Sequence, residues 1–430
     1  MRNVCAVAWL IAVGWAAAAQ VVEVPLKYMK IPERAEIYYP TGGTGVELTK
    51  KPEEKPLVVP DVPKYAFRYG SFKVGDTEFK LALARSIQGK QCKYRLYVDT
   101  NQDGSAVDET PISVDAEVQD TWMYAEFPPL DIKYAVNGKT FPFSVRFSLS
   151  EEKPSIRSRG YSNLYISSAA VYTADLTLGG VKYSLVIGDC EFNGRFDDKL
   201  TIERQDDYVY GRGDAIMLTT AGEKSDYYDG VFLTEFLMIG ADLYRVAVDF
   251  ANTKLTVAKA DVALAPMKIP TEVRRLEIAS NDGKGWSIAF LNPGPVVQIP
   301  AGSYQLVKYL LSRTEPVGDV WVLAADATPR TPACTVEAGN AAEMAFGEPF
   351  SVQLTQQRLH QMMMNDKKTY RLEMGAEGRA FERVATVMHK SGDKTKFALS
   401  ERNHRSPKEP TYKIVTAEGE KLAEGNFEYG

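Results

Sequence analysis

The sequence is poor in the residues that most often carry out catalysis. Among its 430 residues there are three histidines, His360, His389 and His404, and four cysteines. It contains no H-E-x-x-H zinc motif, no G-x-S-x-G nucleophile elbow and no G-x-x-x-x-G-K-[ST] phosphate-binding loop. These absences argue against a zincin, an α/β-hydrolase and a P-loop nucleotide-binding protein, and no catalytic residue is predicted.

Charge of one sign is not concentrated anywhere along the chain. There are 51 Lys and Arg against 56 Asp and Glu, which gives a net charge of −5, and no long basic run occurs. Because nucleic-acid binding needs a clustered positive face, no nucleic-acid partner is indicated. The composition is 45% hydrophobic and 25% charged, as in ordinary globular proteins. The length implies roughly two to four domains.

Only the N-terminus has a long apolar run. Arg2 is followed by an apolar stretch over residues 4–15, and Ala16 to Ala19 then precede Gln20. This is the pattern of a secretory signal peptide over residues 1–19 with cleavage before Gln20. The apolar segment, about 16 residues long, is shorter than the roughly 20 that a membrane-spanning helix needs. The sequence therefore predicts export to the periplasm, the cell surface or the medium, with no membrane span after processing.

Removal of the leader would leave three cysteines. These are Cys92, Cys190 and Cys334, widely separated and without a C-x-x-C motif. Export permits disulfides, but an odd number leaves at least one thiol free or paired between chains. A Cys92–Cys190 bridge is conceivable because each of the two lies close to an acidic loop.

Short alternating runs of apolar and polar residues dominate from about Tyr65 onward. Residues 79–83 and 141–145 are examples, and a period of two is typical of half-buried strands. We expect an all-β, multidomain fold of antiparallel sheets and β-sandwiches with few short helices. The one helix predicted spans Thr355 to Asp366, with Thr355 as N-cap. The 23 tyrosines suit half-buried strands, and they would also suit a carbohydrate-binding surface.

The predicted domain organisation follows the Pro- and Gly-rich segments. Pro266 and Pro270 mark one boundary. An irregular, linker-like arm is expected over 20–66, followed by two β-rich halves, a β-sandwich and an immunoglobulin-like sandwich at the C-terminus. The predicted ranges are 67–150 and 151–265 for the halves, 266–348 for the sandwich and 349–430 for the C-terminal part.

A turn followed by an aromatic residue occurs four times and predicts four tight hairpins. The turns are centred on residues 75–76, 137–138, 179–180 and 240–241, where Gly and Asn permit positive φ. Gly75 and Gly179 lie 104 residues apart, and Asn137 and Gly240 lie 103 apart. The matched spacing favours an internal duplication with halves of about 100 residues, although hairpin turns recur in any β protein.

The strongest candidate site is an acidic loop that follows a predicted strand over residues 94–98. Calcium takes six to eight oxygen ligands, and a glycine at loop position 6 allows a short segment to wrap around the ion. The loop places candidate oxygens at positions 1, 3, 5 and 7, and two later carboxylates are available to close the shell. In order, these residues are Asp99, Asn101, Asp103, Ser105, Asp108 and Glu109.

This segment resembles the first half of EF-hand and dockerin calcium loops. It is also similar to exported bacterial β-rich proteins of unknown function in which such a loop follows a strand. The resemblance covers about a dozen residues in each of two places and implies calcium as the expected cofactor, with no organic cofactor indicated. It departs from the EF-hand pattern at position 12, which is Thr110 rather than Glu, and in lacking a pair of flanking helices.

A second acidic loop follows the strand predicted over residues 183–187. Its candidate ligands occupy positions 1, 3, 5, 9 and 10, and position 10 is an Asp in both loops. These residues are Asp189, Glu191, Asn193, Asp197 and Asp198. Position 12 is Leu200, so the bidentate carboxylate is again missing. Both loops are open to a second interpretation, because Asp, Asn and Gly also form polar turns without a metal.

Two functional hypotheses follow. The first is an exported, non-enzymatic binding or surface-associated module with calcium-stabilised loops, whose partner would be an extracellular protein or a polysaccharide. The second is a carbohydrate-active hydrolase with a pair of carboxylates in a β-rich cleft. With 56 acidic residues, the sequence contains many candidate pairs and does not single one out.

Overall fold

The computed structural model describes most of the chain between residues 21 and 426. The described residues are 21–32, 39–50, 57–63, 65–88, 91–117, 122–152, 162–205, 208–223, 230–283, 285–314, 316, 320–358, 370–390, 411–415, 419 and 421–426. The predicted signal peptide lies outside these ranges, so its prediction stands on the sequence alone.

Strands account for nearly all the regular structure. In the first part of the chain they are β1 (Val21–Pro25), β2 (Lys27–Lys30), β3 (Gly43–Val46), β4 (Ala66–Val74), β5 (Thr77–Gln88), β6 (Gln91–Val98), β7 (Ile112–Glu117), β8 (Trp122–Glu126), β9 (Leu130–Val136), β10 (Lys139–Glu152), β11 (Ser162–Ser168), β12 (Ala170–Leu178), β13 (Val181–Gly188), β14 (Thr201–Gln205), β15 (Tyr208–Arg212), β16 (Ala215–Thr220), β17 (Gly230–Phe232), β18 (Phe236–Ile239), β19 (Asp242–Asp249) and β20 (Lys254–Lys259).

The later strands continue the pattern. They are β21 (Leu264–Lys268), β22 (Val273–Ser280), β23 (Ser287–Leu291), β24 (Val296–Pro300), β25 (Gly302–Thr314), β26 (Val320–Asp326), β27 (Cys334–Val336), β28 (Ala342–Glu343), β29 (Ser351–Arg358), β30 (Tyr370–Glu377), β31 (Arg383–Lys390), β32 (Thr411–Val415) and β33 (Lys421–Asn426). Within the described ranges the helical structure is one 3₁₀ turn, Phe250–Asn252. The prediction of an all-β fold built mainly from antiparallel sheets is confirmed.

Three larger sheets surround the acidic loops. One has the order β4-β5-β6-β7, the second has β17-β16-β13-β12-β2, and the third joins β3-β11-β10-β8 with β9. Their inward faces share one large core, in which the Phe196 ring contacts the rings of Phe143, Tyr172 and Phe250. Alternation along β10 and β12 brings Phe143 and Tyr172 to the core, whereas Phe196 comes from the second acidic loop and Phe250 from the 3₁₀ turn.

A twelve-stranded sheet runs in the order β1-β20-β19-β18-β23-β22-β25-β26-β31-β30-β29, with β27 beside β25, and three small sheets, β14-β15, β24-β21-β28 and β32-β33, complete the described structure. The parallel pairing of β18 with β23 carries this sheet across the boundary predicted at Pro266 and Pro270. A second core lies against it, with Phe290, Tyr304 and Tyr309 among its fully buried residues. The predicted immunoglobulin-like C-terminal sandwich is not confirmed, since β29–β31 belong to this sheet.

All four predicted turns are two-residue hairpins. The flanking strands pair up to the turn in each case, at Val74↔Thr77, Val136↔Lys139, Leu178↔Val181 and Ile239↔Asp242. The first turn residue has positive φ every time, between 50° at Asn137 and 60° at Gly240. Glycine and asparagine tolerate this conformation, which explains why the local sequence sufficed to locate the turns.

Three parts of the segment predicted as an irregular arm form short strands. β1 pairs with β20, β2 with β12 and β3 with β11, so the arm adds an edge strand to three sheets. Its short strands alternate only over four or five residues, and its many Pro and Glu residues hide that pattern. Pairing with preformed edges supplies the order that the local sequence lacks.

The predicted helix over Thr355 to Asp366 is wrong at its beginning. Thr355 lies in β29, which pairs with β30 from Ser351↔Glu377 to Arg358↔Tyr370. Residues 359–366 lie outside the described ranges. Hydrogen bonds to a neighbouring strand override weak helical propensity, which is a small prior when an edge is available.

The Cys92–Cys190 bridge that the sequence made conceivable is not formed. Cys92, Cys190 and Cys334 are all free thiols, and Cys92 and Cys334 are buried. Burial raises the pKa of each thiol, to about 12 for Cys190. Cys92 and Cys334 behave as small apolar side chains of the two cores, while Cys190 is partly buried.

Candidate functional site

The Asp99 loop begins where a buried strand leaves its sheet. β6 lies between β5 and β7, so its alternation is stabilised on both sides and it ends with Val98 in the core. Asp99 follows directly and is only 3% exposed. Its backbone N–H donates to the Lys80 carbonyl at 2.9 Å, which continues the β5–β6 pairing by one residue. The first carboxylate of the loop is therefore positioned by the sheet rather than by the loop.

Backbone hydrogen bonds to side chains shape this loop. Gly104 N–H donates to Asp99 Oδ2 at 3.0 Å, and Asp103 N–H donates to Asn101 Oδ1 at 3.1 Å. Ser105 N–H donates to Asp103 Oδ1 at 2.7 Å. Gln102 and Gly104 adopt positive φ, 64° and 84°, which turns the chain back on itself. The loop is a succession of polar turns around one carboxylate.

Three of the predicted ligands meet on the outer side of the loop. The Asn101 amide nitrogen donates to Asp108 Oδ2 at 3.0 Å and lies 3.3 Å from Asp103 Oδ2. Two carboxylates thus converge on one N–H donor group. Glu109 does not join them, because its Oε1 accepts both the backbone N–H and the hydroxyl of Thr100 at 2.7 Å. Of the two carboxylates predicted to close the loop, Asp108 is the one brought into the cluster.

One carboxylate oxygen of the Asp99 loop lacks a hydrogen-bond donor. Asp99 Oδ1 is buried and has no hydrogen-bond partner. A buried carboxylate oxygen without a donor costs free energy, of the order of 1–3 kcal/mol. A cation ligated there would remove that cost.

The Asp189 loop starts in the same way from β13, which lies between β12 and β16. Asp189 is fully buried. Gly194 N–H donates to its Oδ2 at 2.8 Å and Asn193 N–H to its Oδ1 at 3.2 Å. Phe192 and Gly194 have φ of 53° and 78°, so loop positions 4 and 6 are left-handed in both loops. Burial raises the pKa of Asp189 to about 7.

The remaining predicted ligands of this loop find partners within the protein. The Arg195 guanidinium makes two bonds of 2.9 Å to Asp197, and the Asn193 amide donates to Asp198 at 2.6 Å. Glu191 turns away from Asp189 and accepts a hydrogen bond from Gly213 N–H at 3.2 Å. The structure thus keeps Asp189, Asn193 and Asp198 together and separates Glu191 from them.

Sequence reasoning missed one acidic residue at this site, Asp214. It is fully buried at the start of β16 and accepts the N–H groups of Cys190 at 3.2 Å and Asp198 at 2.9 Å. Burial and the nearby Asp189 raise its pKa to about 9. The only signal in the sequence was an Asp between a glycine and an apolar strand, which is common in turns.

Both loops are held by the segment predicted as an arm. Val58 N–H donates to the Gly104 carbonyl at 3.0 Å and its carbonyl accepts from Ala106 N–H at 2.7 Å. In the second loop, Gly42 N–H donates to the Asp189 carbonyl at 2.8 Å. The arm therefore fixes one side of each loop by backbone pairing.

An offset of 90 residues relates the two loops. It brings Asp99 onto Asp189 and the Gln88↔Gln91 pair of hairpin β5–β6 onto the Leu178↔Val181 pair of β12–β13. β7 and β16 then return antiparallel to β6 and β13. The 104-residue offset predicted from the turns does not bring the loops into correspondence. Duplication stays a prediction, and 90 residues is the offset at which the loops agree.

The described residues contain no group of three His, Cys, Asp or Glu side chains that would hold a metal on their own. Calcium also takes amide and backbone carbonyl oxygens, so the test for it is whether a donor set is incomplete without a cation. In the Asp99 loop, one buried carboxylate oxygen, Asp99 Oδ1, has no hydrogen-bond partner. The Asp189 loop supplies Arg195, Asn193 and backbone donors instead.

One cavity is lined by charged residues that neutralise one another. It has a volume of about 500 Å³ and contains Glu272, Glu343 and Glu348. Arg313 pairs with Glu272 at 2.8 Å and with Glu348 at 2.9 Å, while Arg379 lies 3.6 Å from Glu343. Each carboxylate there has an arginine partner, so this cavity does not present the pair that a glycosidase mechanism needs.

In the described part of the chain, no helix is both long enough and apolar enough to cross a membrane. Comparison with protein-family models, with curated proteins and with solved structures gives no match. The site itself is therefore the basis for assigning a function.

Proposed function

We propose that the protein is an exported, non-enzymatic β-sheet module in which calcium rigidifies the Asp99 loop for contact with an extracellular protein or polysaccharide. The observation that carries this proposal is the buried Asp99 Oδ1, which lacks a donor in a loop otherwise rich in hydrogen bonds. Export rests on the N-terminal sequence, with its Arg2, short apolar run and small residues before Gln20.

The loop has the charge and the shape that a hard cation requires. Asp99, Asp103 and Asp108 contribute three carboxylates, and Asn101 lies between two of them. Like charges in one small loop repel each other, at about 4 kcal/mol for a pair 4 Å apart near a protein surface. An amide offsets this only in part, because it carries no net charge. Calcium would neutralise the cluster and supply the missing partner of Asp99.

The backbone needs little rearrangement to bind the ion. Gly104 already adopts φ of 84°, and Val58 already pairs with the chain on both sides of Ser105. Preorganisation lowers the entropy that binding must offset. The Asp189 loop has the same left-handed positions, but Arg195 neutralises Asp197. We therefore assign calcium to the Asp99 loop and regard the Asp189 loop as its internally satisfied counterpart.

Thermal melting of the secreted protein with calcium or with EDTA tests this proposal. Calcium at millimolar concentration should raise the melting temperature, because a ligand at 100 times its Kd stabilises the folded state by about 2.7 kcal/mol. Asp103→Ala should remove most of the shift. Asp115→Ala is the matched control, because Asp115 is an exposed carboxylate of β7 outside the loop, and it should leave the shift unchanged.

Two results would contradict the proposal. One is the absence of any calcium-dependent shift in the wild-type protein at millimolar calcium. The other is an equal shift in wild-type protein and Asp103→Ala, which would place the ion elsewhere.

A further inference from the structure

A second cavity lies between the sheet β17-β16-β13-β12-β2 and the outer face of β22 and β25. Its volume is about 290 Å³, close to the lower end of small-ligand pockets at roughly 300 Å³. Val231, Phe232 and Leu310 contribute apolar wall, and Arg275, Glu277 and Lys308 contribute charge. Sequence analysis did not find this cavity, because its two walls are far apart in the chain.

Glu277 is the unusual residue of this cavity. It is only 4% exposed, and its Oε2 is buried without a hydrogen-bond partner. The backbone N–H of Phe232 donates to the same side chain, and burial raises its pKa to about 7. A carboxyl group buried against an open cavity with one acceptor unused is suited to receive a donor from a ligand.

Lys308 places a positive charge beside that carboxyl group. It is directly opposite Glu277 in the antiparallel pairing of β22 with β25, and its side chain is exposed. Directly opposite residues on one face have Cβ atoms roughly 5 Å apart. The cavity therefore has a carboxylate acceptor within it and the Lys308 ammonium on the neighbouring strand. Asp326 lies opposite Lys308 on its other side, outside the cavity lining.

The apolar wall, the Glu277 carboxyl group and the Lys308 ammonium together restrict the chemistry of the ligand. A simple carboxylic acid would pair with Lys308 and leave Glu277 without a donor. A simple amine would pair with Glu277 but would meet the positive charges of Arg275 and Lys308. A neutral sugar would leave Lys308 unused and would bring many hydroxyl groups to apolar walls, where each unpaired one is costly.

We propose that this cavity binds a free α-amino acid with an apolar side chain. The ammonium group of the ligand donates to Glu277, its carboxylate pairs with Lys308, and its side chain packs against Val231, Phe232 and Leu310. The positive end of the ligand thus meets the acidic Glu277, and its negative end meets the basic Lys308. This assignment does not depend on the calcium loop.

Isothermal titration calorimetry on the full secreted chain tests the proposal. The probes are leucine and phenylalanine, with 4-methylpentanoate, which lacks the ammonium group, and isopentylamine, which lacks the carboxylate. We expect leucine to bind and each analogue to bind at least about tenfold more weakly, which is about 1.4 kcal/mol per missing contact. Glucose serves as the neutral hydroxylated probe and should give no heat.

Variants assign the two contacts separately. Glu277→Gln should weaken leucine at least about tenfold. Lys308→Gln, at an exposed position, should weaken leucine binding and should not weaken isopentylamine binding, because it removes a positive charge that opposes the amine. This variant tests the carboxylate contact even if Glu277→Gln unfolds the protein. Glu337→Gln is the control, because Glu337 is an exposed carboxylate outside the cavity. Absence of binding by both amino acids at millimolar concentration, equal binding of the analogues, or binding of glucose alone would each overturn the proposal.

Discussion

Gly104 and Gly194 provide a matched test of how neighbouring atoms determine the free-energy cost of a Gly→Ala substitution. Gly104 and Gly194 occupy position 6 of their loops with φ of 84° and 78°. An alanine in this left-handed conformation costs roughly 1–2 kcal/mol. A Cβ at Gly104 would meet nothing within 4 Å, so Gly104→Ala should cost only that amount.

Gly194→Ala should cost more. Its Cβ would lie 2.5 Å from a ring carbon of Tyr134 and 2.7 Å from Val74 Cγ1. Tyr134 is 1% exposed and its hydroxyl donates to the Gly194 carbonyl, so the ring is not free to move. Overpacking of this kind costs roughly 1–3 kcal/mol in addition. The total loss should therefore be about 2–5 kcal/mol.

Urea unfolding followed by circular dichroism, in EDTA, measures both losses without a contribution from calcium. Gly194→Ala should unfold at clearly lower urea concentration than Gly104→Ala, with a similar slope. Equal midpoints for the two variants would refute the reasoning, because backbone strain alone would then account for both. A larger loss at Gly104 would show that the open space around its Cβ is occupied in the folded protein.

Two further predictions concern buried carboxyl groups. Glu277 has its pKa raised from 4.5 to about 7, so the stability it contributes is complete below pH 4.5 and falls as the pH rises through about 7. Glu277→Gln carries no titrating carboxyl group at this position, so its free energy of unfolding relative to wild type should rise by up to about 3 kcal/mol over that pH interval. A difference in melting temperature between the two proteins that stays constant from pH 4 to 8 would contradict this. Tyr309 donates to the buried Glu382 at 2.9 Å, so Tyr309→Phe should cost about 1–3 kcal/mol by thermal unfolding. An unchanged melting temperature would show that Gly347 and Ala380, which donate to the same carboxylate, satisfy it alone.

Structural features that depend on a short segment of the chain could be predicted from the sequence. Each of the four hairpin turns depends on a first turn residue that adopts positive φ, and Gly and Asn tolerate this conformation readily, so each turn could be predicted from a short segment. The strands could be predicted from the period of two in their apolar residues. The polar turns of the Asp99 loop likewise follow from Asp, Asn and Gly at fixed spacing.

Tertiary structure decided what depends on distant parts of the chain. β1 and β2 form because edges of other sheets accept them, and Thr355 joins a strand because β30 lies beside it. Asp214 reaches the second loop across the β13–β16 pairing, and Glu277 meets Phe232 where two sheets face each other. No local pattern encodes these encounters, since they depend on strand order, which nonlocal packing selects.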